Sequence, residues 1–308
     1  MVELNNHTVM IQQFPNGESF ADIKREYVSD LINKVHLHYE SDLDLLMIKY
    51  VTDHIRNNPR TCNSRIELSM PYMPYSRMDR QEENRLFTLK SVADFINSLH
   101  FDSVEIWEPH SNVCIALLDR VKVVWKSREL VIKAAMDVLE LSGSAWYTHH
   151  KGYDNYTDRF TLEGLVRLAN EAGIWLVYPD AGAEKRYSKQ IKYSKIITCE
   201  KTRDFETGKI TSFKVNVPDG DNNYKTAIIV DDLCSKGGTF IGVAEKLKEI
   251  GFSNIILCVT HCENTIYDGK IFSSNTINSV YTTHSILVRQ DVDSATKLII
   301  QGDYSYEN

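Results

Sequence analysis

Short β-branched apolar runs alternate along this chain with longer segments whose apolar residues recur every three or four positions. The short runs are typical of strands buried on both faces, and the longer segments are typical of amphipathic helices. We predict strands at residues 65–70, 103–107, 121–125, 174–178, 195–199, 227–230, 255–259, 279–283 and 286–288. We predict helices at residues 41–57, 86–99, 131–141, 162–172 and 240–250.

The strongest signal lies in residues 227–250, where a strand, an acidic pair, a glycine loop and a helix follow one another. Asp231 and Asp232 are predicted at the strand's carboxyl end, where adjacent carboxylates accept hydrogen bonds from vicinal sugar hydroxyls. An anion could be bound by the residues that follow, which supply backbone N–H groups, side-chain donors and the N-terminus of a helix. These residues are Ser235, Lys236, Gly237, Gly238 and Thr239. The segment predicts a site for a phosphorylated ribose, although an ordinary βα turn also fits this motif taken alone.

Composition restricts the class of protein. The 308 residues predict two domains of about 150 each, and 43% hydrophobic with 25% charged residues is typical of a soluble globular protein. The net charge of -7 argues against nucleic acid or membrane partners. The sequence lacks an apolar run of membrane-spanning length and the residue order of a signal peptide, so we predict a cytoplasmic protein. The six cysteines lack zinc-site spacing, which predicts reduced thiols.

Two segments near the N-terminus carry candidate binding chemistry. A Pro-Asn-Gly turn is expected to present Asn16 and Glu18 at a loop tip. The stretch PYMPYSRMDR displays Arg77 and Arg80, whose guanidinium groups suit a polyphosphate. A plain turn and a solvated basic loop are the alternatives.

Three further positions follow predicted strands. His110 stands at a strand end, where a lone histidine is more often structural. Asp180 is a reasonable ligand for magnesium or ribose. Lys201 and Arg203 are expected to project from a mobile loop, where a charge pair is usually a solvated hairpin.

Taken in order, these motifs resemble those of the phosphoribosyl-diphosphate (PRPP) synthetases, also called ribose-phosphate diphosphokinases. The likeness lies in Phe-Pro-Asn-Gly-Glu, Pro-Tyr-x-x-Tyr-x-Arg-x-Asp-Arg, Glu-x-His, Pro-Asp-x-Gly-x-x-x-Arg, Lys-x-Arg and the acidic pair with its glycine loop. The resemblance implies two tandem type I phosphoribosyltransferase-like α/β domains, each a mainly parallel sheet flanked by helices. Residues 1–126 would bind ATP and residues 127–308 would bind the phosphoribosyl group, with the last ~20 residues able to pack back on the first domain.

The resemblance also implies a reaction, in which the β,γ-diphosphoryl group of ATP passes to the anomeric 1-hydroxyl of a 5-phosphoribosyl acceptor, releasing AMP. It assigns catalysis to Lys201 and Arg203, and magnesium binding to His110 and Asp180. It assigns ATP binding to Phe14, Asn16, Glu18, Arg77, Asp79 and Arg80. It assigns the phosphoribose to Asp231, Asp232, Ser235, Lys236, Gly237, Gly238 and Thr239. Relatives assemble through dimers, so a homo-oligomer, a dimer or a dimer-based hexamer, is expected.

The chain departs from the family pattern at several points. Met78 replaces the usual glutamine, and the first βα unit of the family is missing, so the N-terminal domain is expected to be trimmed or rebuilt. Ser235 and Lys236 replace Asp-Thr in the loop, which raises its positive charge. Two acceptors therefore stay open. One is ribose 5-phosphate. The other is ADP-ribose, which would serve NAD⁺ rebuilding if the chain were a divergent viral member of the family acting in a host cytoplasm. The remaining alternatives are a PRPP-consuming phosphoribosyltransferase and a non-catalytic regulatory homologue.

Overall fold

A computed structural model describes residues 1–141, 162–203, 210–217, 223–291 and 294–301 of the protein. The chain divides into two units, Met1–Trp125 and Lys126–Asn308, each with its own sheet and core. Residues 148–158, to which the sequence assigns no role, lie outside the described ranges. No helix in the described ranges is long and apolar enough to cross a membrane.

The first unit is an α/β structure. Its strands are β1 (Val2–Leu4), β2 (His7–Thr8), β3 (Ile11–Gln13), β4 (Ser19–Ala21), β5 (Ile32–Leu37), β6 (Arg65–Met70), β7 (Ser103–Trp107) and β8 (Val121–Val124). Its α-helices are α1 (Asp42–Arg56), α2 (Thr88–Ser98) and α3 (Asn112–Leu117). The main sheet has the order β2-β1-β5-β6-β7-β8, in which β5 to β8 run parallel and β1 and β2 form an antiparallel edge. β3 and β4 form a separate hairpin.

Helix α1 shows how local sequence determines this architecture. Ser41 and Asp44 form a capping box, in which each side chain bonds the other residue's backbone N–H. The residues Leu45, Ile48, Val51 and Ile55 recur at helical spacing and are buried in the core of the first unit. The predicted helix at residues 41–57 is thus confirmed.

The second unit is built on a seven-stranded sheet. Its strands are β9 (Ile174–Tyr178), β10 (Ile196–Arg203), β11 (Ile210–Asn216), β12 (Thr226–Cys234), β13 (Asn254–Cys262), β14 (Ser279–Thr283) and β15 (Lys297–Gln301). Its α-helices are α4 (Ser127–Leu141), α5 (Leu162–Glu171), α6 (Ala181–Tyr187) and α7 (Gly238–Ile250). The order is β11-β10-β9-β12-β13-β14-β15, and β11 pairs antiparallel while the other neighbours run parallel.

Both faces of the second sheet are covered by apolar side chains. Along β12, Ala227 and Ile229 belong to the core that also contains residues of α7, whereas Ile228 and Val230 belong to the core that contains residues of α4. Successive side chains of a strand point to opposite faces, so a strand covered on both sides is apolar at every position. This packing explains why the strand appears in the sequence as a continuous apolar run.

The strand predicted at residues 286–288 is wrong, and β10, β12 and β13 end later than predicted. Residues 286–288 form a turn and a loop, and the last described strand of the sheet is Lys297–Gln301, which pairs with β14. The turn begins at His284, and Ser285 is buried there with its hydroxyl directed to the backbone of Thr260, so the chain leaves the sheet early. β12 also continues beyond Val230 to Cys234. The packing of the last residues on the first domain stays a prediction.

Candidate active site

The acidic pair lies inside β12, whereas the sequence placed it after the strand. Asp231 pairs in register with Val259, and the ladder continues through Leu233, opposite His261, to Cys234. The strand continues past its apolar run because β13 is equally long and supplies backbone partners to both polar and apolar residues. The two carboxylates are therefore held by a sheet and not by a loop.

Asp232 forms an ion pair with a residue of helix α6. The Arg186 Nη1 atom lies 3.0 Å from the Asp232 Oδ2 atom, and the two side chains are only 19% and 7% exposed. The backbone N–H of Asp232 donates to the carboxylate of Asp231 at 2.9 Å. Arg186 thus neutralises part of the negative charge of Asp232, which lies next to a second carboxylate.

The pKa of Asp231 is strongly shifted by its surroundings. Burial raises its pKa well above the usual carboxyl range, and the neighbouring carboxylates of Asp232 and Asp180 raise it further. A carboxyl group in this position favours ligands that donate hydrogen bonds, because such donors stabilise its charged form. Vicinal sugar hydroxyls are donors of this kind.

The loop after the acidic pair leads into α7 through two glycines with different roles. Gly237 has a φ of +76°, and a Cβ atom there would overlap the side chain of Ile271. A Cβ atom on Gly238 would meet no described atom within 4 Å. The first backbone N–H groups of a helix have no intrahelical acceptor, so the open space beside Gly238 suits an anion. Lys236 is exposed and Thr239 is partly exposed at this place.

Asp180 and Lys201 lie together in the same unit. Asp180 caps α6 by accepting the backbone N–H of Ala183 at 2.9 Å, and its other oxygen accepts from the Lys201 Nζ atom at 2.7 Å. Burial alone would raise the pKa of Asp180, but these two hydrogen bonds outweigh burial and lower it. The predicted catalytic lysine is thus held by the predicted magnesium ligand.

The loop predicted around Lys201 and Arg203 is wrong, because both residues belong to β10. Lys201 pairs with Phe213 of β11, and the backbone of Arg203 pairs with Ile210 after a register shift. Residues 204–209 and the side chain of Arg203 lie outside the described part of the chain. Lys201 therefore projects from a β-ribbon, and the role of Arg203 stays a prediction.

The predicted magnesium ligands do not form a complete metal site by themselves. His110 belongs to the first unit, just before α3, and Asp180 belongs to the second unit. Within the described ranges no group of three histidine, cysteine, aspartate or glutamate side chains could hold a metal ion. Magnesium usually takes one or two protein carboxylates and completes its shell with water and substrate phosphates. Asp180 is a carboxylate that fits such a shell, in which a polyphosphate brings most of the ligands, and the role of His110 stays a prediction.

The hairpin of β3 and β4 carries three predicted ATP-binding residues at its turn. Asn16 donates to the Glu18 carboxylate at 2.8 Å, and the backbone N–H of Glu18 donates back to Asn16 at 3.1 Å. Gly17 adopts a φ of +88°, and the half-exposed ring of Phe14 stacks on Phe20 at 4.6 Å. The predicted turn is confirmed, and it presents all three side chains at the surface of the first unit.

The loop that carries Arg77, Asp79 and Arg80 is anchored by residues that the sequence did not single out. Tyr75 has a φ of +60°, and its hydroxyl donates to the Asp42 Oδ1 atom at 2.6 Å. Tyr39 donates to the same oxygen at 2.8 Å, and the two tyrosine hydroxyls lower the pKa of Asp42. Asp42 and Tyr39 lack a sequence signal, because they meet the loop only through the fold.

The guanidinium groups of this loop are exposed to solvent. Arg77 and Arg80 are both exposed, and Asp79 is partly buried. The Arg80 Nε atom lies 3.0 Å from the Glu82 carboxylate in an exposed ion pair. An exposed pair contributes little to stability, so Arg80 can exchange this partner for a phosphate at low cost.

Comparison with known proteins finds similar enzymes that share one name. No protein-family model matches the chain. The chain is similar to a ribose-phosphate pyrophosphokinase of Sulfurisphaera tokodaii, 26% identical over 280 residues that cover 89% of this chain and 82% of that protein. It is also similar to a ribose-phosphate pyrophosphokinase of Pyrococcus abyssi, 24% identical over 292 residues that cover 92% and 87%.

A solved structure gives the same relationship at the level of fold. The phosphoribosylpyrophosphate synthetase from Mycobacterium smegmatis matches with a TM-score of 0.62 and 19% identity, over 95% of this chain and 86% of that one. The predicted fold class is thereby confirmed as two tandem type I phosphoribosyltransferase-like domains, each a mainly parallel sheet flanked by helices.

Proposed function

We propose that the chain is a member of the ribose-phosphate pyrophosphokinase family of transferases, and that it transfers the β,γ-diphosphoryl group of ATP to a 5-phosphoribosyl acceptor. The acceptor uses its anomeric 1-hydroxyl, and AMP is released. ATP and a sugar phosphate are thus the small-molecule partners.

One observation supports this proposal most directly. The second unit places the carboxylates of Asp231 and Asp232 on β12, a few residues before the open N-terminus of α7 at Gly238. The carboxylates can accept hydrogen bonds from the ribose hydroxyls, and the neighbouring anion site can bind the 5-phosphate at the other end of a ribose 5-phosphate. The neighbouring strand β9 leads directly to Asp180, which holds the ammonium group of Lys201 beside this site.

The residues suit a reaction that depends on positioning and charge neutralisation. The sugar hydroxyl attacks the β-phosphorus in line, and negative charge builds up on the transferred group. Lys201 can leave Asp180 and neutralise that charge, with Arg203 as the second predicted cation. Asp180 would hold magnesium together with phosphate oxygens, so that the ion neutralises further charge on the polyphosphate, and His110 stays the second predicted ligand. Phe14, Asn16, Glu18, Arg77, Asp79 and Arg80 are the proposed ATP contacts.

We propose ribose 5-phosphate as the acceptor because the relatives carry that substrate in their names. ADP-ribose stays a prediction that rests only on Ser235 and Lys236 in the loop. A phosphoribosyltransferase would have no use for the ATP elements of the first unit. A non-catalytic homologue would not need to retain Lys201 and the acidic pair. A cytoplasmic homo-oligomer, a dimer or a dimer-based hexamer, is part of the same proposal.

Phosphorus NMR tests the reaction directly. The protein is incubated with Mg²⁺ and ATP, together with ribose 5-phosphate in one sample and ADP-ribose in another. We expect AMP and an anomeric diphosphate from ribose 5-phosphate. Product only from ADP-ribose would replace the proposed acceptor, and no AMP from either sample would overturn the proposed activity.

The lysine on β10 provides a matched pair of variants. Lys201→Ala should lower turnover with ribose 5-phosphate at least a hundredfold, because it removes a cation that acts on the transferred group. Lys214→Ala removes an exposed lysine from the adjacent strand β11 and should leave turnover within about twofold. Thermal melting shows whether both variants fold. Equal turnover in the two variants would contradict the role given to Lys201.

A further inference from the structure

The glycine loop of the second unit, residues 235–239, is called the phosphate loop below. It is supported by a segment of the chain that is distant in sequence. This buttress segment, residues 263–271, follows β13 and contacts the loop residue by residue. The backbone N–H of Glu263 donates to the Cys234 carbonyl at 2.8 Å. Gly269 packs so close to Lys236 that a Cβ atom there would overlap the Lys236 carbonyl. The last contact is that of Ile271 with Gly237, described above.

Within this buttress segment, Thr265 makes the side-chain hydrogen bond to the loop. The Thr265 Oγ1 atom lies 2.9 Å from the Ser235 Oγ atom and 3.1 Å from the Glu263 Oε2 atom. Both Ser235 and Thr265 are partly buried at this contact. The three side chains therefore form a short chain of hydrogen bonds from the buttress segment to the loop.

The direction of these bonds follows from counting protons. An ionised carboxylate only accepts hydrogen bonds, so Thr265 donates to Glu263. A hydroxyl group has a single proton, so Thr265 can only accept from Ser235. The proton of Ser235 is thus committed to Thr265. Ser235 then has only lone pairs left to face a bound phosphate, and lone pairs repel the phosphate's acceptor oxygens.

We propose that Thr265 is a positioning residue for the phosphate loop: it takes the hydroxyl proton of Ser235, so that Ser235 anchors the loop and does not donate to the phosphate. This inference rests on the proposed function. The phosphate is bound instead by Lys236, Thr239 and the backbone N–H groups at the start of α7. Ser235, assigned above from the sequence to direct phosphoribose binding, acts through the shape of the loop.

The opposite arrangement makes a different prediction. If Ser235 donated to the phosphate, Thr265 would compete for its proton, and removing the Thr265 hydroxyl would leave phosphate binding unchanged or tighter. In the proposed arrangement the same change releases the loop from its support. Affinity for the sugar phosphate then falls, while the ATP elements of the first unit are untouched.

The experiment compares Thr265→Val, Thr265→Ser, Ser235→Ala and the double variant Ser235→Ala/Thr265→Val in the full-length protein. Calorimetric titration with ribose 5-phosphate, without ATP, gives the dissociation constant. Steady-state assays give KM for each substrate and kcat. Thr226→Val is the matched control. It alters a buried threonine at the start of β12, the strand whose other end leads into the phosphate loop.

Thr265→Val should weaken ribose 5-phosphate binding about three- to tenfold, the effect of one hydrogen bond, with KM for ATP unchanged and kcat within about twofold. Thr265→Ser should restore wild-type binding, because it restores the hydroxyl. Ser235→Ala should match Thr265→Val, and the double variant should be no worse than either, because both break the same bond. Thr226→Val should bind as the wild type does.

Unchanged or tighter binding by Thr265→Val would overturn the proposal, and so would losses that multiply in the double variant. If Thr265→Val does not fold, Thr265→Ala decides by the same criterion, because it removes the same hydroxyl, and wild-type affinity in Ser235→Ala would also overturn the proposal. Absence of AMP formation by the wild type would overturn the proposed function alone, since the titrations do not need turnover. A wild-type protein that does not bind ribose 5-phosphate would overturn this inference as well.

Discussion

Removing the Arg186 side chain should destabilise the strand that carries the acidic pair. Arg186→Met keeps most of the side chain's volume and apolar stem but removes the cation that lies 3.0 Å from Asp232. Asp232 would then remain buried beside Asp231 and would lose this ion pair. A buried charge that loses its partner is far more costly than the pair was worth.

The magnitude can be worked out from the geometry. Two unit charges 3.0 Å apart attract by about 5 kcal/mol at an effective dielectric constant of about 20. Part of this attraction only offsets the free-energy cost of burying the guanidinium. That cost is absent in the variant, so the net loss is smaller than the full attraction. Breaking a fully buried pair costs about 3–5 kcal/mol, and Arg186 keeps 19% of its surface in solvent. We therefore expect a loss of about 2–4 kcal/mol.

Hydrogen exchange measures this loss locally, without assuming that the two units unfold together. Peptides from β12 should exchange about 30- to 1,000-fold faster in Arg186→Met than in the wild type. Lys185→Met, on the exposed side of the same helix, is the control and should change the rate little. Adding Asp232→Asn to Arg186→Met should recover part of the protection. The reasoning fails if Arg186→Met exchanges like the control, or if the double variant is as unprotected as the single one.

Two further predictions concern the same region. Because the pKa of Asp231 is raised in the folded protein, its contribution to stability is complete below the ordinary carboxyl pKa and is lost as the pH rises through the folded value. Asp231→Asn should therefore melt at a higher temperature than the wild type at pH 8 but not at pH 4, and a difference that is constant with pH would contradict this. Gly237→Ala should lose about 2 kcal/mol of stability, from its positive φ and the overlap with Ile271. Gly238→Ala should melt like the wild type yet raise KM for the sugar phosphate, because its methyl group enters the open space beside α7. If both glycine variants melt alike, the steric distinction between them is wrong.

The sequence predicts most elements of this fold because burial leaves a pattern. The strands Arg65–Met70 and Ile174–Tyr178 are found at their predicted positions, since the first buries every second residue and the second is buried along its whole length. The boundaries are wrong where the ladder continues through polar residues. Asp231 and Asp232 end the apolar run but not the strand, because backbone pairing with β13 does not depend on side-chain polarity.

The contacts that organise the site leave no pattern in the sequence. Thr265 follows Ser235 by 30 positions, and Tyr75 follows Asp42 by 33 positions. Such contacts depend on how strands and loops meet in space, which spacing along one chain does not encode. Residue types alone could propose the carboxylates and the glycine loop, but not the partners that orient them. The ion pair of Lys201 with Asp180 was missed for the same reason, although both residues were singled out.

The close contact between Gly269 and Lys236 has a consequence for engineering. A chimaera that transplants only residues 231–239 into a related scaffold would meet a foreign buttress segment. A larger residue at the position of Gly269 would push the backbone of the loop outward and misplace its N–H groups. Transplanting residues 263–271 together with the loop would keep the two surfaces matched. The shape of this loop is thus a property of two separate stretches of chain, which have to be exchanged, randomised or selected as one unit.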